Sequence, residues 1–246
     1  MKILITNDDG IEAYGLKLME QLARTVSDDI TVVAPMQNRS GTSQAISLQN
    51  ELHFSHIRNN RYACSGNPAD CVMLALNLLF KDKPPDLVLS GINHGMNASD
   101  DVGYSGTVGA AREAAIVGIQ AIAFSQQHGK FEADFEVARE FGKCVFDHAT
   151  SVMLPARHVL NVNFPSTKIS EVKGIRVAAL DRHKISDQII AGTNSDHFFI
   201  GPLNQRIETN PKSDRYFLQK GYVTFTPLLV DTTAIGLLNN IPEISL

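Results

Sequence analysis

The sequence predicts an α/β fold built on a doubly wound, mostly parallel sheet. Short, continuous apolar runs alternate with amphipathic runs of helical length through the first two thirds of the 246 residues. Uninterrupted apolar runs are typical of strands buried on both faces, whereas a strand with one solvated face alternates apolar and polar residues. The composition, with 43% hydrophobic and 20% charged residues, supplies enough apolar side chains for the core of one large domain.

Strands and helices alternate along the chain in the order that builds a parallel sheet. The predicted strands are the short apolar runs at 2–6, 30–34, 86–90, 121–125 and 159–163. The predicted helices are the amphipathic runs between them, at 15–26, 68–80, 107–117 and 131–149.

Residues 45–65 interrupt this alternation and predict an inserted β-hairpin. Two asparagines, Asn59 and Asn60, separate the later strand-like runs. Asparagine tolerates the backbone angles of tight turns, so the pattern indicates small antiparallel strands. The strand-like runs are 45–48, 52–54 and 61–64.

A second interruption, at residues 181–220, predicts an extended arm. The segment is polar and too long for an ordinary connection inside a compact domain. It is either a lid or an arm exchanged with another subunit, and the sequence leaves both open. Residues 1–246 then form a single domain, with a core at about 1–180, the arm at about 181–220, and a closing strand and helix at about 221–246.

Composition and charge exclude several classes of protein. A net charge of −4 without a clear basic patch argues against binding to a nucleic-acid polymer. Three cysteines without a CxxC pair argue against a disulfide framework and a structural zinc site, and predict buried free thiols. No apolar run approaches the roughly 20 residues that span a bilayer, and the start of the chain lacks the features of a signal peptide. We therefore expect a cytoplasmic protein with no membrane contact.

Polar residues follow the predicted strands at the edge where an open parallel sheet binds ligands. The first strand runs directly into Asp8 and Asp9. Taken alone, this pair is also typical of an Asx turn that caps the next helix. Two adjacent carboxylates repel each other unless a cation lies between them, and Ser40 and Asn93, which follow two other strands, could supply further oxygens. Such oxygens suit Mg²⁺, Mn²⁺ or Ca²⁺.

The start of the alanine-rich helix predicted at 107–117 is a candidate anion site. Ser105, Gly106 and Thr107 lead into this helix, so their backbone N–H groups would face an anion at its N-terminus. An ordinary N-cap explains the same residues, because serine and threonine are common at helix starts.

Several familiar catalytic motifs are absent from the sequence. The chain has no P-loop lysine motif, no GxGxxG after the first strand and no GxSxG elbow, so ATPase, dehydrogenase and esterase functions lose their main support. His94 lies in a candidate loop, but without a second histidine or cysteine at ligand spacing it does not predict zinc. Arg112 and Glu113 are better explained as a solvated or subunit-facing pair on the helix.

Separated blocks of sequence, in order along nearly the whole chain, carry a family resemblance. The blocks lie at 3–11, 33–35 with 38–41, 66–72, 90–97, 101–108 and 221–228, followed by Asp231 and Thr232. Together they resemble the SurE survival proteins, which are 5′/3′-nucleotidases. Their joint occurrence is far more specific than any single block.

The resemblance implies a Rossmann-like core and one divalent cation per subunit, Mg²⁺ or Mn²⁺, with Ca²⁺ as a third candidate. It implies that the metal ligands are the four oxygen-bearing residues already suggested by the loops, Asp8, Asp9, Ser40 and Asn93. It implies phosphate contacts from Asn97, Ser105, Gly106 and Thr107. It further implies hydrolysis of nucleoside 5′- and 3′-monophosphates, with short polyphosphate as an additional candidate, and a homodimer or homotetramer built through an exchanged C-terminal arm.

The sequence departs from the family pattern at three places. Asn67 stands where threonine is usual, Ser99 stands where glycine is usual, and residues 181–215 match only loosely. Because serine would stiffen a loop that needs unusual backbone angles, Ser99 bears on rate and substrate fit more than on metal binding.

The mechanism that these residues suggest is in-line attack of water on phosphorus. A bound divalent cation supplies Lewis acidity and lowers the pKa of a water molecule. Asp8 and Asp9 are the predicted catalytic residues: both hold the ion, and Asp9 is the better candidate to orient or deprotonate the water. Two alternatives stay open. One is an aspartyl-phosphate formed on Asp8, and the other is a metal-dependent nucleotide-binding regulatory module without useful turnover.

Overall fold

The computed structural model describes residues 1–128, 135–182, 188–201 and 210–240. Within these ranges the chain forms a nine-stranded sheet, a separate two-stranded sheet and five α-helices. The strands are β1 Ile3–Thr6, β2 Ile30–Pro35, β3 Phe54–Arg58, β4 Arg61–Cys64, β5 Leu87–His94, β6 Gln120–Gln126, β7 His158–Phe164, β8 Ile175–Val177, β9 Ile189–Ala191, β10 Phe198–Ile200 and β11 Val223–Leu229. The helices are α1 Tyr14–Ala23, α2 Pro68–Leu74, α3 Gly106–Ile116, α4 Glu136–Ser151 and α5 Asp214–Gln219.

The large sheet has the strand order β3-β4-β2-β1-β5-β6-β7-β11-β8. Six of its eight neighbouring pairs are parallel, and the antiparallel pairs are β3 with β4 and β7 with β11. The chain leaves β1 toward β2 on one side and later returns to β5 on the other. The order therefore reverses between β1 and β5, where an open α/β sheet has its ligand crevice.

Helices cover both faces of the sheet, and alternate residues of β1 show how. Ile3 and Ile5 point to the face covered by α1 and α4, where they pack in one apolar cluster with side chains such as Met19 and Phe146. Leu4 points to the opposite face, in a cluster with residues of α2 and α3 such as Val108. All six side chains are fully buried. The predicted doubly wound, mostly parallel α/β class is confirmed.

Several predicted elements differ from those observed. Residues 45–48 form no strand, and the hairpin is β3–β4, closed by Asn59 and Asn60 with positive φ. Because β4 also pairs in parallel with β2, the hairpin extends the main sheet. The helix predicted at 68–80 is α-helical only to Leu74 and continues as a π-helical turn at Ala75–Leu79. The first four residues of the helix predicted at 131–149 lie outside the described residues.

The described residues of the predicted arm form two separate pieces of regular structure. The described residues 188–201 form the small β9–β10 hairpin, whose side chains are more apolar than expected, since Ile189, Phe198, Phe199 and Ile200 are exposed. The end of the predicted arm belongs to the core, because α5 packs against β11 and Asp214 is fully buried. Within the closing segment the described helix is a 3₁₀ helix at Ile235–Asn240, and 241–246 lie outside the described residues.

Two further expectations concern thiols and membranes. Cys64 and Cys71 are buried as predicted, whereas Cys144 is exposed on α4. No helix in the described parts of the chain is both long enough and apolar enough to cross a bilayer.

Candidate active site

Three loops meet at the carboxyl ends of β2, β1 and β5, as their parallel arrangement predicts. The backbone N–H of Arg39, after β2, donates to the carbonyl oxygen of Asp8 at 2.7 Å. The backbone N–H of His94, at the end of β5, donates to Oδ2 of Asp9 at 3.0 Å. The paired aspartates therefore lie between the loops that carry Ser40 and Asn93. Since β5 continues to His94, Asn93 belongs to the strand end and not to a separate loop.

Asp8 faces the N-terminus of α3. Its side chain is 3% exposed, and its Oδ1 accepts a hydrogen bond from the Thr107 hydroxyl at 2.5 Å. The backbone of Thr107 donates to the same carboxylate. Gly106 allows this close approach, since a Cβ at this position would lie 2.9 Å from the Cβ of Asp8. Asp8 is a predicted metal ligand and Thr107 a predicted phosphate contact, and in the structure the two side chains are in direct contact.

Burial makes the aspartate pair costly to ionise. Burial and, to a smaller extent, the neighbouring charge of Asp9 raise the pKa of Asp8 from 3.8 to about 6, against the Thr107 hydrogen bonds, which lower it. Burial also raises the pKa of Asp9, against the His94 N–H and the nearby His94 and His128 imidazoles. Neither carboxylate forms a salt bridge within the described part of the chain. A bound cation would supply the missing positive charge.

We expect Asp8→Asn to stabilise the metal-free protein at neutral pH. The folded protein keeps a proton on Asp8 up to about pH 6, whereas the unfolded chain loses it near pH 3.8. The free energy of unfolding therefore falls as pH rises through this window, by about 3 kcal/mol for a shift of about two pH units. With chelator present, the melting temperature of the variant should exceed the wild-type value at about pH 7.5 and match it at about pH 4. A variant that melts below the wild type at both pH values would show that the Thr107 hydrogen bonds outweigh the cost of burial.

The remaining predicted ligands carry oxygens suited to a hard cation. The Asn93 side-chain amide donates to the Gly95 carbonyl at 2.9 Å, which leaves its Oδ1 as an acceptor. Ser40 is exposed, and its backbone N–H is held by Oδ1 of Asn38 at 2.8 Å. Among the described residues, no three His, Cys, Asp or Glu side chains gather at a possible metal position. The donors therefore fit Mg²⁺, Mn²⁺ or Ca²⁺, which accept neutral oxygens, better than they fit zinc.

The side-chain hydrogen bonds that close the turn after β1 are made by Asn7 and not by the aspartates. Oδ1 of Asn7 accepts from the Gly10 N–H at 3.2 Å, and Nδ2 of Asn7 donates to the Gly10 carbonyl at 3.0 Å. The residue before α1 is Ala13, and no side chain caps this helix. The capping explanation of Asp8 and Asp9 was therefore wrong, and their carboxylates stay available for other contacts.

Ser105 is an N-cap, and it is also one of the predicted phosphate contacts. Its Oγ accepts from the Val108 N–H at 3.0 Å. The prediction of an N-cap is therefore confirmed, but the cap uses the Ser105 hydroxyl only as an acceptor. The hydroxyl hydrogen and the Gly106 N–H have no hydrogen-bond acceptor among the described residues, so both could donate to an anion.

Asn97 belongs to a buried polar network that the sequence analysis missed. Its Nδ2 donates to the Ser125 hydroxyl at 2.8 Å, and its backbone N–H donates to Oδ1 of Asn163 at 2.8 Å. Its carbonyl accepts from the side chains of Asn161 and Asn163. One Nδ2 hydrogen remains for a phosphate. Polar residues inside the apolar strands β6 and β7 were the available signal, because a buried polar side chain needs a partner.

Ser99 occupies a backbone conformation that favours glycine. Its φ is 61°, its N–H donates to Oδ2 of the buried Asp214 at 2.9 Å, and its buried Oγ has no partner in the described structure. This loop position therefore has the unusual backbone angle that was expected, and an effect of Ser99 on rate and substrate fit stays a prediction.

We expect Ser99→Gly to raise the free energy of unfolding by about 1 kcal/mol, because glycine removes both the left-handed strain and the unpaired hydroxyl. Urea unfolding would measure the change. Ser99→Ala is the matched control, since it removes the hydroxyl and keeps the strain. Equal stabilities of the two variants would show that the backbone angle costs nothing.

His94 has neighbours that the sequence analysis did not find. Its ring centroid lies 4.0 Å from that of His128 and 5.8 Å from that of Phe135. No short motif links these positions. The sheet topology could have found the first of them, because His94 pairs with Gln126 across β5 and β6, two residues before His128.

The fold and the site together define a class: doubly wound α/β proteins with an acidic, phosphate-compatible site at the switch point of the sheet. A family model described as survival protein SurE matches residues 3–187. The chain belongs to the SurE family, and the predicted resemblance is confirmed.

Individual relatives cover nearly the whole chain. A protein from Vibrio cholerae serotype O1 named 5′-nucleotidase SurE is 40% identical over 95% of this chain and 93% of its own length. A protein of the same name from Azorhizobium caulinodans is 38% identical over 99% of this chain and 98% of its own length. The crystal structure of the SurE protein from Aquifex aeolicus has a TM-score of 0.86 at 31% identity and covers 98% of both chains. This likeness also supports the Rossmann-like layout.

Proposed function

We propose that the protein is a nucleotidase that uses a divalent cation to hydrolyse nucleoside 5′- and 3′-monophosphates to nucleoside and phosphate. The observation that carries this proposal is the hydrogen bond from the Thr107 hydroxyl to Asp8. It joins the buried Asp8 of the aspartate pair to the N-terminus of a helix, so the proposed cation site and the proposed anion site share one crevice. A phosphomonoester bound through a metal needs both. The name 5′-nucleotidase SurE, given to the relatives, supports the substrate class.

In the proposed mechanism the chain's own residues hold and orient the reactants. Asp8, Asp9, Ser40 and Asn93 would hold the cation, which when bound supplies Lewis acidity toward a phosphoryl oxygen and lowers the pKa of water. Asp9 is only partly buried, so it is better placed than Asp8 to orient or deprotonate the attacking water.

Charge on the phosphoryl oxygens would be stabilised by donors at the start of α3. The Gly106 N–H and the Ser105 hydroxyl are the open donors there, and the remaining Nδ2 hydrogen of Asn97 is a third. Thr107 acts through Asp8, whose carboxylate it holds. These hydrogen bonds also make Asp8 a poor nucleophile, which argues against an aspartyl-phosphate intermediate.

Substrate range and assembly are part of the same proposal. Both phosphate positions of a nucleotide are included, short polyphosphate is a further candidate, and Mg²⁺, Mn²⁺ or Ca²⁺ fits the ligand oxygens. A homodimer or homotetramer is supported by the apolar side chains that the β9–β10 hairpin exposes. The cytoplasmic location stays a prediction.

Phosphate release tests the proposed function directly. The purified protein is incubated with a panel of nucleoside 5′- and 3′-monophosphates, with Mn²⁺, with Mg²⁺ and with chelator. We expect release that depends on the cation and stops with chelator. A folded, metal-loaded protein that binds nucleotide and releases no phosphate would instead establish a regulatory binding module.

A further inference from the structure

Four aromatic rings form a continuous row beside the aspartate pair, and we call Tyr14, Phe135, His94 and His128 the aromatic row. The ring centroids of Tyr14 and Phe135 are 5.3 Å apart, those of Phe135 and His94 are 5.8 Å apart, and those of His94 and His128 are 4.0 Å apart. Phe135 is buried and supports the row, whereas Tyr14, His94 and His128 are exposed. Exposed aromatic faces of this extent offer a surface for a flat ligand.

The aromatic row is tied to the proposed active site through the backbone. The backbone N–H of His94 donates to Oδ2 of Asp9, so the residue that carries one ring of the row contacts this carboxylate directly. A Cβ on Gly95 would lie 3.3 Å from the His128 ring, which shows how closely that ring lies against the end of β5. A Cβ on Gly15 would lie 3.1 Å from the Phe135 ring, so the start of α1 lies against the same group.

The geometry of the two imidazoles suits stacking more than metal binding. Their planes meet at 77°, so together they form a corner with one ring face and one ring edge. No third His, Cys, Asp or Glu side chain within the described residues completes a metal site with them. A planar ring placed on one imidazole face would meet the edge of the other, which is the arrangement that aromatic groups prefer.

We propose that the aromatic row is the subsite for the nucleobase, which stacks in the corner formed by His94 and His128 while the phosphate lies at the aspartates. This inference rests on the proposed function, since it assumes that the phosphate of a nucleotide occupies the crevice. The base, joined through ribose, would then lie on one side of the crevice. His94 and His128 occupy the side next to Asp9.

The subsite has a consequence for substrate choice. Stacking uses the ring face that every base has, so the row accepts all bases and favours the larger faces of purines over pyrimidines. We expect higher kcat/KM for purine nucleotides, and higher kcat/KM for any nucleotide than for a sugar phosphate without a base.

Tyr104 offers a competing surface on the other side of the crevice. It is 48% exposed and directly precedes Ser105. Its backbone carbonyl accepts from the N–H of Ser43, so it lies against the loop after β2 and is not part of the aromatic row. Variants of the two surfaces therefore distinguish the two positions of the base.

The test compares adenosine 5′-monophosphate with ribose 5-phosphate, which has the same phosphate and sugar and no base. The readout is the ratio of the two kcat/KM values in the full chain with Mn²⁺. His128→Leu keeps the bulk of the side chain and removes the ring, and should lower this ratio about 5- to 100-fold. His128→Phe keeps an aromatic ring and removes the imidazole nitrogens, and should preserve most of the ratio. His53→Leu is the control, an exposed histidine on another part of the surface, and should leave the ratio unchanged.

The outcomes separate the subsite from the proposed function. A ratio that survives in His128→Leu, or that falls in Tyr104→Leu instead, overturns the aromatic row as the base subsite. If the wild type releases phosphate from neither substrate, the nucleotidase function fails, and calorimetry with adenosine then decides the subsite. Adenosine binding that is lost in His128→Leu and kept in His128→Phe supports the subsite, and equal binding by both variants overturns it.

Discussion

Asp9→Asn should reduce metal-dependent phosphate release to the background of the assay. The substitution removes one of two adjacent carboxylates, and with it the charge that attracts the cation and the group that is best placed to orient or deprotonate water. The fold should survive, because Oδ1 of the asparagine can still accept from the His94 N–H as Oδ2 of Asp9 does. Phosphate release from a nucleoside monophosphate, measured across a range of Mn²⁺ concentrations, checks this result.

The controls for Asp9→Asn separate lost metal from lost structure. Asp28→Asn makes the same chemical change at an exposed position and should keep full activity. Calorimetric titration with Mn²⁺ should show weaker binding to Asp9→Asn, and the melting temperature without metal should not fall. Substantial turnover in Asp9→Asn would exclude Asp9 from the catalytic group and move the attack on phosphorus to other residues.

Gly106→Ala should lower kcat by about 10²-fold, close to the loss caused by removing one preorganised donor. The added Cβ would lie 2.9 Å from the Cβ of Asp8, 3.0 Å from its Oδ2 and 3.2 Å from Cγ of Pro68. A Cβ almost never approaches another atom so closely, so either Asp8 or the start of α3 must move. Each movement separates the cation site from the open N–H of residue 106.

Gly103→Ala is the matched control for Gly106→Ala, because a Cβ at Gly103 meets no atom within 4 Å. It lies in the same loop region and should retain wild-type kcat. Steady-state kinetics of both variants, together with their thermal melting, check the comparison. Equal rates in the two variants would show that the contact between α3 and Asp8 is not needed for turnover.

The general position of the site could be predicted from the sequence because of strand direction. Parallel strands place all their carboxyl ends on one edge, so the residues after β1, β2 and β5 had to converge once the strands were recognised. Asp8, Asp9 and Ser40 lie in the segments that follow β1 and β2, and Asn93 lies at the end of β5. For these residues, the position relative to a strand was enough to predict which edge of the sheet they occupy.

The partners of those residues could not be predicted in the same way. The contact of Thr107 with Asp8 depends on how closely α3 approaches β1, which Gly106 decides through a distance of a few ångströms. The contact of His94 with His128 depends on the path of the chain beyond β6. Sequence patterns report burial and direction, but they do not report side-chain orientation across two elements.

The hydrogen bond from Ser99 to Asp214 has a consequence for the timing of synthesis. It joins residues 115 positions apart, and it fixes the loop between Asn97 and Ser105 to the first turn of α5. On a ribosome, domains fold from the N-terminus as the chain emerges. The aspartate pair can therefore be in place early, while the loop for which phosphate contacts are predicted still lacks its anchor. A nascent chain would acquire a complete site only after residue 214 has left the exit tunnel, when synthesis of the 246 residues is close to its end.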